Sequence, residues 1–311
     1  MAVNLKGRNL VSVKDLSTEE IWQVLKTAEA LKLGHYRNER PTPLTGKTLA
    51  MVFQKPSLRT RVSFEAGMNR LGGHAIYLAP SDIRLGERET TEDIAIVLSR
   101  YADIIMARVF GHDIVVDLAK HATVPVINGL SDEEHPCQVL ADLSTIYEKK
   151  DRLEGLHLTY VGDGNNVAHS LMYGCARVGM HCTVCSPKGY EPLPAIVSES
   201  QAMARPTGAE IRLETDPTAA AGGADVIYTD VWASMGREGE AEKRRQDFGP
   251  YQVNAGLMSV ADTQAVILHC LPAHYGEEID YETSRTRSSA IFDQAENRLH
   301  AQNALMVLLA E

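Results

Sequence analysis

The feature that most constrains this chain is its rhythm: short apolar and β-branched runs alternate with amphipathic stretches almost from end to end. Runs at 48–53, 74–79, 103–109 and 124–129 form one series, and runs at 157–161, 181–186, 210–214, 225–229 and 265–269 form a second. Most are continuous rather than alternating, the pattern of strands covered by helices on both faces. Strand–helix alternation predicts parallel sheets and the α/β class. The polar stretch Glu148-Lys-Lys-Asp-Arg-Leu-Glu-Gly155 parts the two series and predicts a domain junction. With 311 residues, 44% of them hydrophobic, the chain has material for two cores.

Helical spacing fills the gaps. After His135-Pro136, the residues Val139, Leu140, Leu143, Ile146 and Tyr147 fall on one helical face, and Pro136 suits the first helical position. The closing segment 295–311 reads as a helix with Leu299, Ala301, Leu305 and Leu308 inward.

Acidic residues outnumber basic ones, 41 to 31, for a net charge of −10. That excludes the broad basic face of a nucleic-acid binder. No apolar run approaches the roughly 18 residues that span a bilayer, so no membrane partner is expected. The start lacks the apolar stretch and cleavage site of a secretory signal. Five cysteines, an odd count, do not suggest a disulfide framework. A soluble protein of a reducing compartment, the cytoplasm, is the expectation.

In parallel α/β sheets, ligands bind beyond the carboxyl ends of strands. The unusual residues of this chain cluster there. After the run 48–53, Ser57-Leu-Arg-Thr-Arg61 crowds two hydroxyls and two arginines into a helix start, where free N–H groups and the helix dipole favour a phosphate. The bland alternative is a helix cap with solvated arginines. Arg108 ends the third apolar run and needs a ligand or a carboxylate. His135 and Gln138 open the next helix and can donate to a carbonyl or phosphate oxygen, although a lone histidine there is often only a cap. Three donor clusters after three neighbouring strands favour a ligand site.

The second series carries its own cluster. Gly162-Asp-Gly-Asn-Asn-Val167 resembles the start of a dinucleotide fingerprint, but Val167 occupies the third glycine position, which weakens a nicotinamide-dependent oxidoreductase. Asn165 and Asn166 instead suit a polar small molecule. Asp230, at a strand end before Ser234-Met-Gly236, suggests an ammonium-binding carboxylate and a mobile loop. Cys270, in His269-Cys-Leu-Pro272, is open to three readings: nucleophile, proton acceptor or small core residue. Cys182-Thr-Val-Cys185 has zinc-type spacing but lies inside a strand run and lacks a second pair. No cofactor and no metal ion is expected.

These segments, in this order, resemble the ornithine carbamoyltransferase family over essentially the whole chain. Ser57-Leu-Arg-Thr-Arg61 looks like its carbamoyl phosphate signature, His135-Pro-Cys-Gln138 and His269-Cys-Leu-Pro272 match two further motifs, and Asp230 with Ser234-Met-Gly236 matches the ornithine side. The resemblance implies two α/β domains, each with a parallel sheet flanked by helices. Residues 1–150 would hold carbamoyl phosphate and 151–294 ornithine, with the helix 295–311 packing back on the first domain. It implies transfer of a carbamoyl group from carbamoyl phosphate to the δ-amine of L-ornithine, giving L-citrulline and phosphate, in arginine biosynthesis. A sister enzyme acting on putrescine or an N-acylated ornithine is the alternative. A homotrimer, or a multiple of one, is the implied assembly.

Residue by residue, the resemblance assigns Ser57, Leu58, Arg59, Thr60, Arg108, His135, Gln138, Cys270, Leu271 and Arg298 to carbamoyl phosphate. Of these, Arg59, Arg108, His135 and Cys270 carry the catalytic assignment. Asn166, Asp230, Ser234 and Met235 are assigned to ornithine. Two positions depart from the pattern: Leu58 stands where many relatives have Thr, and Arg84 where relatives carry Gln or His reaching a neighbouring subunit's site. Arg84 retains the capacity to bind phosphate. Ser284-Arg-Thr-Arg287 repeats part of the signature away from any strand and is read as surface.

Overall fold

The structure, a computed structural model, describes residues 3–85, 88–233 and 238–310. The chain divides into two compact units, Met1–Ser144 with Glu296–Glu311 and Thr145–Ala295.

Unit 1 is built on four parallel strands, β1 (Thr48–Phe53), β2 (His74–Leu78), β3 (Ile104–Arg108) and β4 (Val126–Leu130), in the order β2-β1-β3-β4. The chain moves outward from β1 to β2, then returns to β3 on the other side of β1. The order therefore switches between β1 and β3, where an open α/β sheet leaves a crevice at its carboxyl edge. The register sets Phe53 opposite Arg108, so the turn after β1 and the end of β3 arrive side by side. One face is sealed by Val52, Ile94, Ile105, Val115 and Leu118, all buried.

Unit 2 repeats the principle with five parallel strands, β5 (His157–Val161), β6 (His181–Cys185), β7 (Ile211–Glu214), β8 (Val226–Thr229) and β9 (Val266–His269), ordered β7-β6-β5-β8-β9. Its switch lies between β5 and β8. Val161 pairs with Thr229 and Thr229 with His269, so the next residues, Gly162, Asp230 and Cys270, leave the sheet at one edge.

Both parallel sheets and their helical cover agree with the α/β reading, with strand ends shifted by at most two residues. Two helices differ from expectation. The helix Pro136–Lys150 is buried all round as far as Ile146, including Ala141, Asp142 and Thr145, with only Tyr147 of the expected face partly exposed. The closing helix runs Ile291–Leu309. Ala301 and Leu305 are buried as expected, but Leu299 and Leu308 are only half-buried, and Asn297, Arg298, His300, Gln302 and Asn303 are buried with them. An apolar-stripe rule cannot find a helix that buries its polar side chains through hydrogen bonds.

From Glu296 onward this helix belongs to unit 1, in agreement with the expected return of the C-terminus to the first domain. Lys32 donates to Asn297 Oδ1 at 2.8 Å, and the Tyr36 hydroxyl donates to Glu296 Oε1 at 2.6 Å. A Cβ on Gly67 would lie 2.1 Å from Asn303 Oδ1, so the helix Leu58–Arg70 meets it closely through a glycine.

Candidate active site

Ser57 starts the helix after β1. Its backbone is extended, and its hydroxyl accepts the N–H of Thr60 at 3.4 Å, so it caps Leu58–Arg70. This puts Thr60 one turn in, facing the sheet and almost fully buried. Its hydroxyl oxygen accepts from Arg108 Nη1 at 3.3 Å and from Arg298 Nη2 at 3.2 Å. Two guanidinium donors occupy the oxygen's lone pairs, and no described residue accepts the hydroxyl proton. The proton of Thr60 is thus left to donate to a ligand.

Arg298 is held from its other end, where Nη1 donates to Gln138 Oε1 at 2.7 Å. Gln138 Nε2 donates in turn to Asp142 Oδ1 at 2.8 Å, which fixes which way the amide faces. His135 lies just before this helix and is 5% exposed. Burial, and then the charges of Arg298, Arg108 and Arg59, push its pKa well below the ordinary histidine value. It stays neutral at pH 7 and keeps one ring N–H to donate. Burial also pushes the neighbouring Cys137 thiol up to about 12, which makes it unreactive.

Of the other residues assigned to carbamoyl phosphate in unit 1, Ser57 and Arg59 are half-exposed at the carboxyl edge of β1, while the Leu58 side chain is open to solvent. Leu58 therefore has only its backbone to offer. Arg61 points elsewhere, stacking 3.9 Å from the centre of the Tyr77 ring and pairing with Glu65 at 3.2 Å. Arg84 is exposed and left-handed (φ 42°), at the end of the short helix Pro80–Ile83, and joins none of the side chains around Thr60.

In unit 2, Asp230 is buried and receives three hydrogen bonds. Asn165 Nδ2 donates to Oδ2 at 2.9 Å, while Cys270 Sγ and the Val231 N–H donate to Oδ1 at 2.9 and 2.8 Å. No cationic residue pairs with it among the described residues. A buried carboxylate satisfied only by neutral donors is suited to an incoming ammonium. The thiol proton of Cys270 is directed at that carboxylate.

Asn165 also caps the helix Asn166–Val178, accepting the N–H groups of Val167 and Ala168, and it receives the Tyr160 hydroxyl at 3.3 Å. Burial, then the charges of Asp230 and Asp163, keep Tyr160 protonated well above its usual range. Asn166, assigned to ornithine, is half-buried on the first turn; the contact to Asp230 is made by Asn165. Ser234 and Met235 lie outside the described residues.

Leu271 has a left-handed backbone (φ 59°), which costs a non-glycine residue of order 1–3 kcal/mol. Its N–H donates to His269 Nδ1 at 2.9 Å. His269 must therefore carry its proton on Nε2, which reaches Glu278 Oε1 at 3.0 Å in a fully buried pair. Asp230, His269 and Cys270 bring donor atoms within metal-binding range of one another. Both His269 nitrogens are already engaged, which leaves a carboxylate and a thiol. Cys182 and Cys185 are both buried, and their three-residue offset in β6 sends them to opposite sheet faces.

Sequence reasoning missed Arg244. It is fully buried, with Nη1 3.0 Å from Asp163 Oδ2 and 2.6 Å from the Trp232 carbonyl, and Nε 3.1 Å from Glu240. It ties the turn after β5 to the segment after β8. In the sequence the polar stretch after Asp230 reads as a charge-rich loop, whereas Ala241–Phe248 is a helix; the one available signal was Phe248, four residues on and buried on the same face.

Residues 8–148 match the carbamoyl-P binding domain of the aspartate/ornithine carbamoyltransferases, and residues 154–309 match their Asp/Orn binding domain. The chain belongs to the aspartate/ornithine carbamoyltransferase family. Within the family it is 55% identical over 307 residues to an ornithine carbamoyltransferase of Anoxybacillus flavithermus, covering 99% of this chain and 98% of that one. It is 53% identical over 309 residues to the anabolic ornithine carbamoyltransferase of Pyrococcus furiosus, again across 99% and 98%. The solved ornithine carbamoyltransferase structure from Pyrococcus furiosus superposes with a TM-score of 0.97 at 52% identity, covering 99% of both chains.

Proposed function

We propose that this protein transfers the carbamoyl group of carbamoyl phosphate to the δ-amine of L-ornithine, giving L-citrulline and phosphate. The observation that carries this reading is Thr60 held between Arg108 and Arg298, in a chain whose end-to-end relatives are named ornithine carbamoyltransferases.

Carbamoyl phosphate presents a dianionic leaving group beside a carbonyl. Residues 1–150 with 295–311 hold it: Ser57, Leu58 and Arg59 with the helix-start N–H groups take the phosphate, and Gln138 and Arg298 complete the cradle. The Thr60 hydroxyl, His135 and Arg108 polarise the carbonyl, whose oxygen gains charge as the amine adds. Each such donor contributes about 3–4 kcal/mol to the transition state. Neutral His135 serves this role without adding a charge of its own.

Residues 151–294 hold ornithine. Asp230 takes an ammonium, and Asn166, Ser234 and Met235 complete the amino-acid side. The δ-amine must be neutral to attack, against a pKa of about 10.4 for an alkylamine in water, and desolvation lowers it. The Cys270 thiol, protonated and directed at Asp230, positions the amine rather than attacking the carbonyl, so no covalent enzyme intermediate forms. The buried anionic Asp230 favours free ornithine over an N-acylated amine, which carries no charge to pair with it.

The working form is a homotrimer or a multiple of one, in the cytoplasm, with Arg84 of one subunit facing its neighbour's site. Among the described residues no helix is long and apolar enough to cross a membrane. Citrulline formation, followed with ornithine, putrescine and N-acetylornithine in parallel, tests the function. Ornithine should be used far better than the other two; a preference for either, or no product from any, overturns it. Light scattering of the purified protein tests the assembly.

A further inference from the structure

Asn165 serves two neighbours at once. Its Oδ1 accepts the N–H groups of Val167 and Ala168 at 2.9 and 3.3 Å and the Tyr160 hydroxyl at 3.3 Å. Its Nδ2 donates to Asp230 Oδ2 at 2.9 Å. Three donors on the oxygen fix which way the amide faces, because a reversed amide would set N–H against N–H. We propose that Asn165 is a positioning residue for the amino-acid substrate: it places the Asp230 oxygen that receives the ornithine ammonium. The proposal deepens the ornithine reading above and rests on it.

Counting acceptor sites shows which oxygen is left for a ligand. An ionised carboxylate offers about four lone-pair sites, two on each oxygen. Asp230 Oδ1 accepts the Cys270 thiol at 2.9 Å and the Val231 N–H at 2.8 Å, which fills both of its sites. Oδ2 accepts only Asn165 among the described residues, so its second site is open. The oxygen with room for an ammonium is therefore the one that Asn165 holds. Residue type supports the same role. Asn, Asp, Ser and Thr are the preferred helix caps, and asparagine alone adds an N–H donor on a second atom. An aspartate would cap equally well but set a second negative charge against Asp230. A serine would cap and fall short of it.

The turn beneath Asn165 is clamped. A Cβ on Gly164 would sit 2.2 Å from the Pro192 nitrogen and 2.4 Å from the Glu191 carbonyl carbon, so only glycine lets that backbone approach. The Gly164 N–H donates to the Tyr190 carbonyl at 2.8 Å, and Asp163 pairs with buried Arg244 at 3.0 Å. With both preceding residues held, the amide donor is in place before a substrate arrives, and little ordering is left to oppose binding.

Two substitutions separate capping from positioning. Asn165→Ser and Asn165→Asp both retain the helix cap, so calorimetric scans should place each Tm within about 4 °C of the wild type. In steady-state assays the KM for ornithine should rise about fivefold or more in Asn165→Ser. It should rise further, about 30-fold or more, in Asn165→Asp, where two carboxylates repel. The KM for carbamoyl phosphate should stay within about twofold in both. In an Asp230→Asn background, Asn165→Ser should add less than twofold, because the donor acts through the carboxylate. Unchanged ornithine KM values in both variants would leave Asn165 a cap alone and overturn the proposal. Equal rises for both substrates, or full additivity with Asp230→Asn, would overturn it as well. Should Asn165→Asp fail to fold, Asn165→Ser and its coupling to Asp230→Asn decide. A wild type that forms no citrulline from ornithine overturns the function and this role with it, whereas wild-type turnover with unaffected variants overturns the role alone.

Discussion

The Thr60 hydroxyl lies 3.2 Å from Arg298 Nη2, across 238 residues of chain. Because Arg108 approaches the same oxygen, Thr60 joins the β1 turn, the end of β3 and the closing helix at one atom.

Thr60→Val removes that oxygen and its proton while keeping shape and volume. The kcat/KM for carbamoyl phosphate should fall by about 100- to 1,000-fold. Thr60→Ser, which restores the hydroxyl, should recover most of the loss. A valine variant with near-normal steady-state kinetics would falsify the assignment.

His135 makes stability depend on pH in a defined direction. Its folded pKa lies well below the unfolded value of 6.5, so below pH 6.5 the unfolded chain binds a proton that the folded chain refuses. The neutral buried ring costs nothing in protonation above pH 6.5, and stability is lost as pH falls from 6.5 toward the folded pKa. His135→Gln should therefore lose less urea resistance than the wild type between pH 7.5 and 5.5. Parallel curves for both proteins would show that the imidazole does not titrate as described.

Asp230→Asn keeps the hydrogen-bonding shape but removes the charge. A charge-assisted bond contributes about 1.5–3 kcal/mol, so the KM for ornithine should rise about 10- to 100-fold. Carbamoyl phosphate binding, measured by its own titration, should change little. Equal weakening of both substrates would sink the role given to Asp230.

Arg244→Ala leaves Asp163 and the Trp232 carbonyl without their buried donor. Breaking a buried pair on one side costs about 3–5 kcal/mol, which lowers Tm by on the order of 10 °C in a chain this size. Arg244→Lys should recover only part, since an ammonium cannot span three acceptors in a plane. Calorimetric scans of the three proteins check this, and an unchanged Tm in the alanine variant would contradict it.

What the amino-acid order alone determined was local. The continuous apolar runs were long enough, and the breaks between them sharp enough, to locate all nine strands within two residues. Ser57, Arg108, His135 and Asp230 stood out because chemistry-bearing residues directly follow strands. Tertiary structure decided the pairings. Strand order and register brought Asp230 beside Cys270, although 40 residues separate them. Only the packed core could make Arg244 an internal tie and Arg298 a neighbour of Thr60, because a buried polar side chain is stabilised by partners distant in the sequence, 238 residues away for Arg298 and Thr60. Periodicity records which residues avoid water; it carries no trace of a polar group that leaves water for a partner elsewhere in the chain.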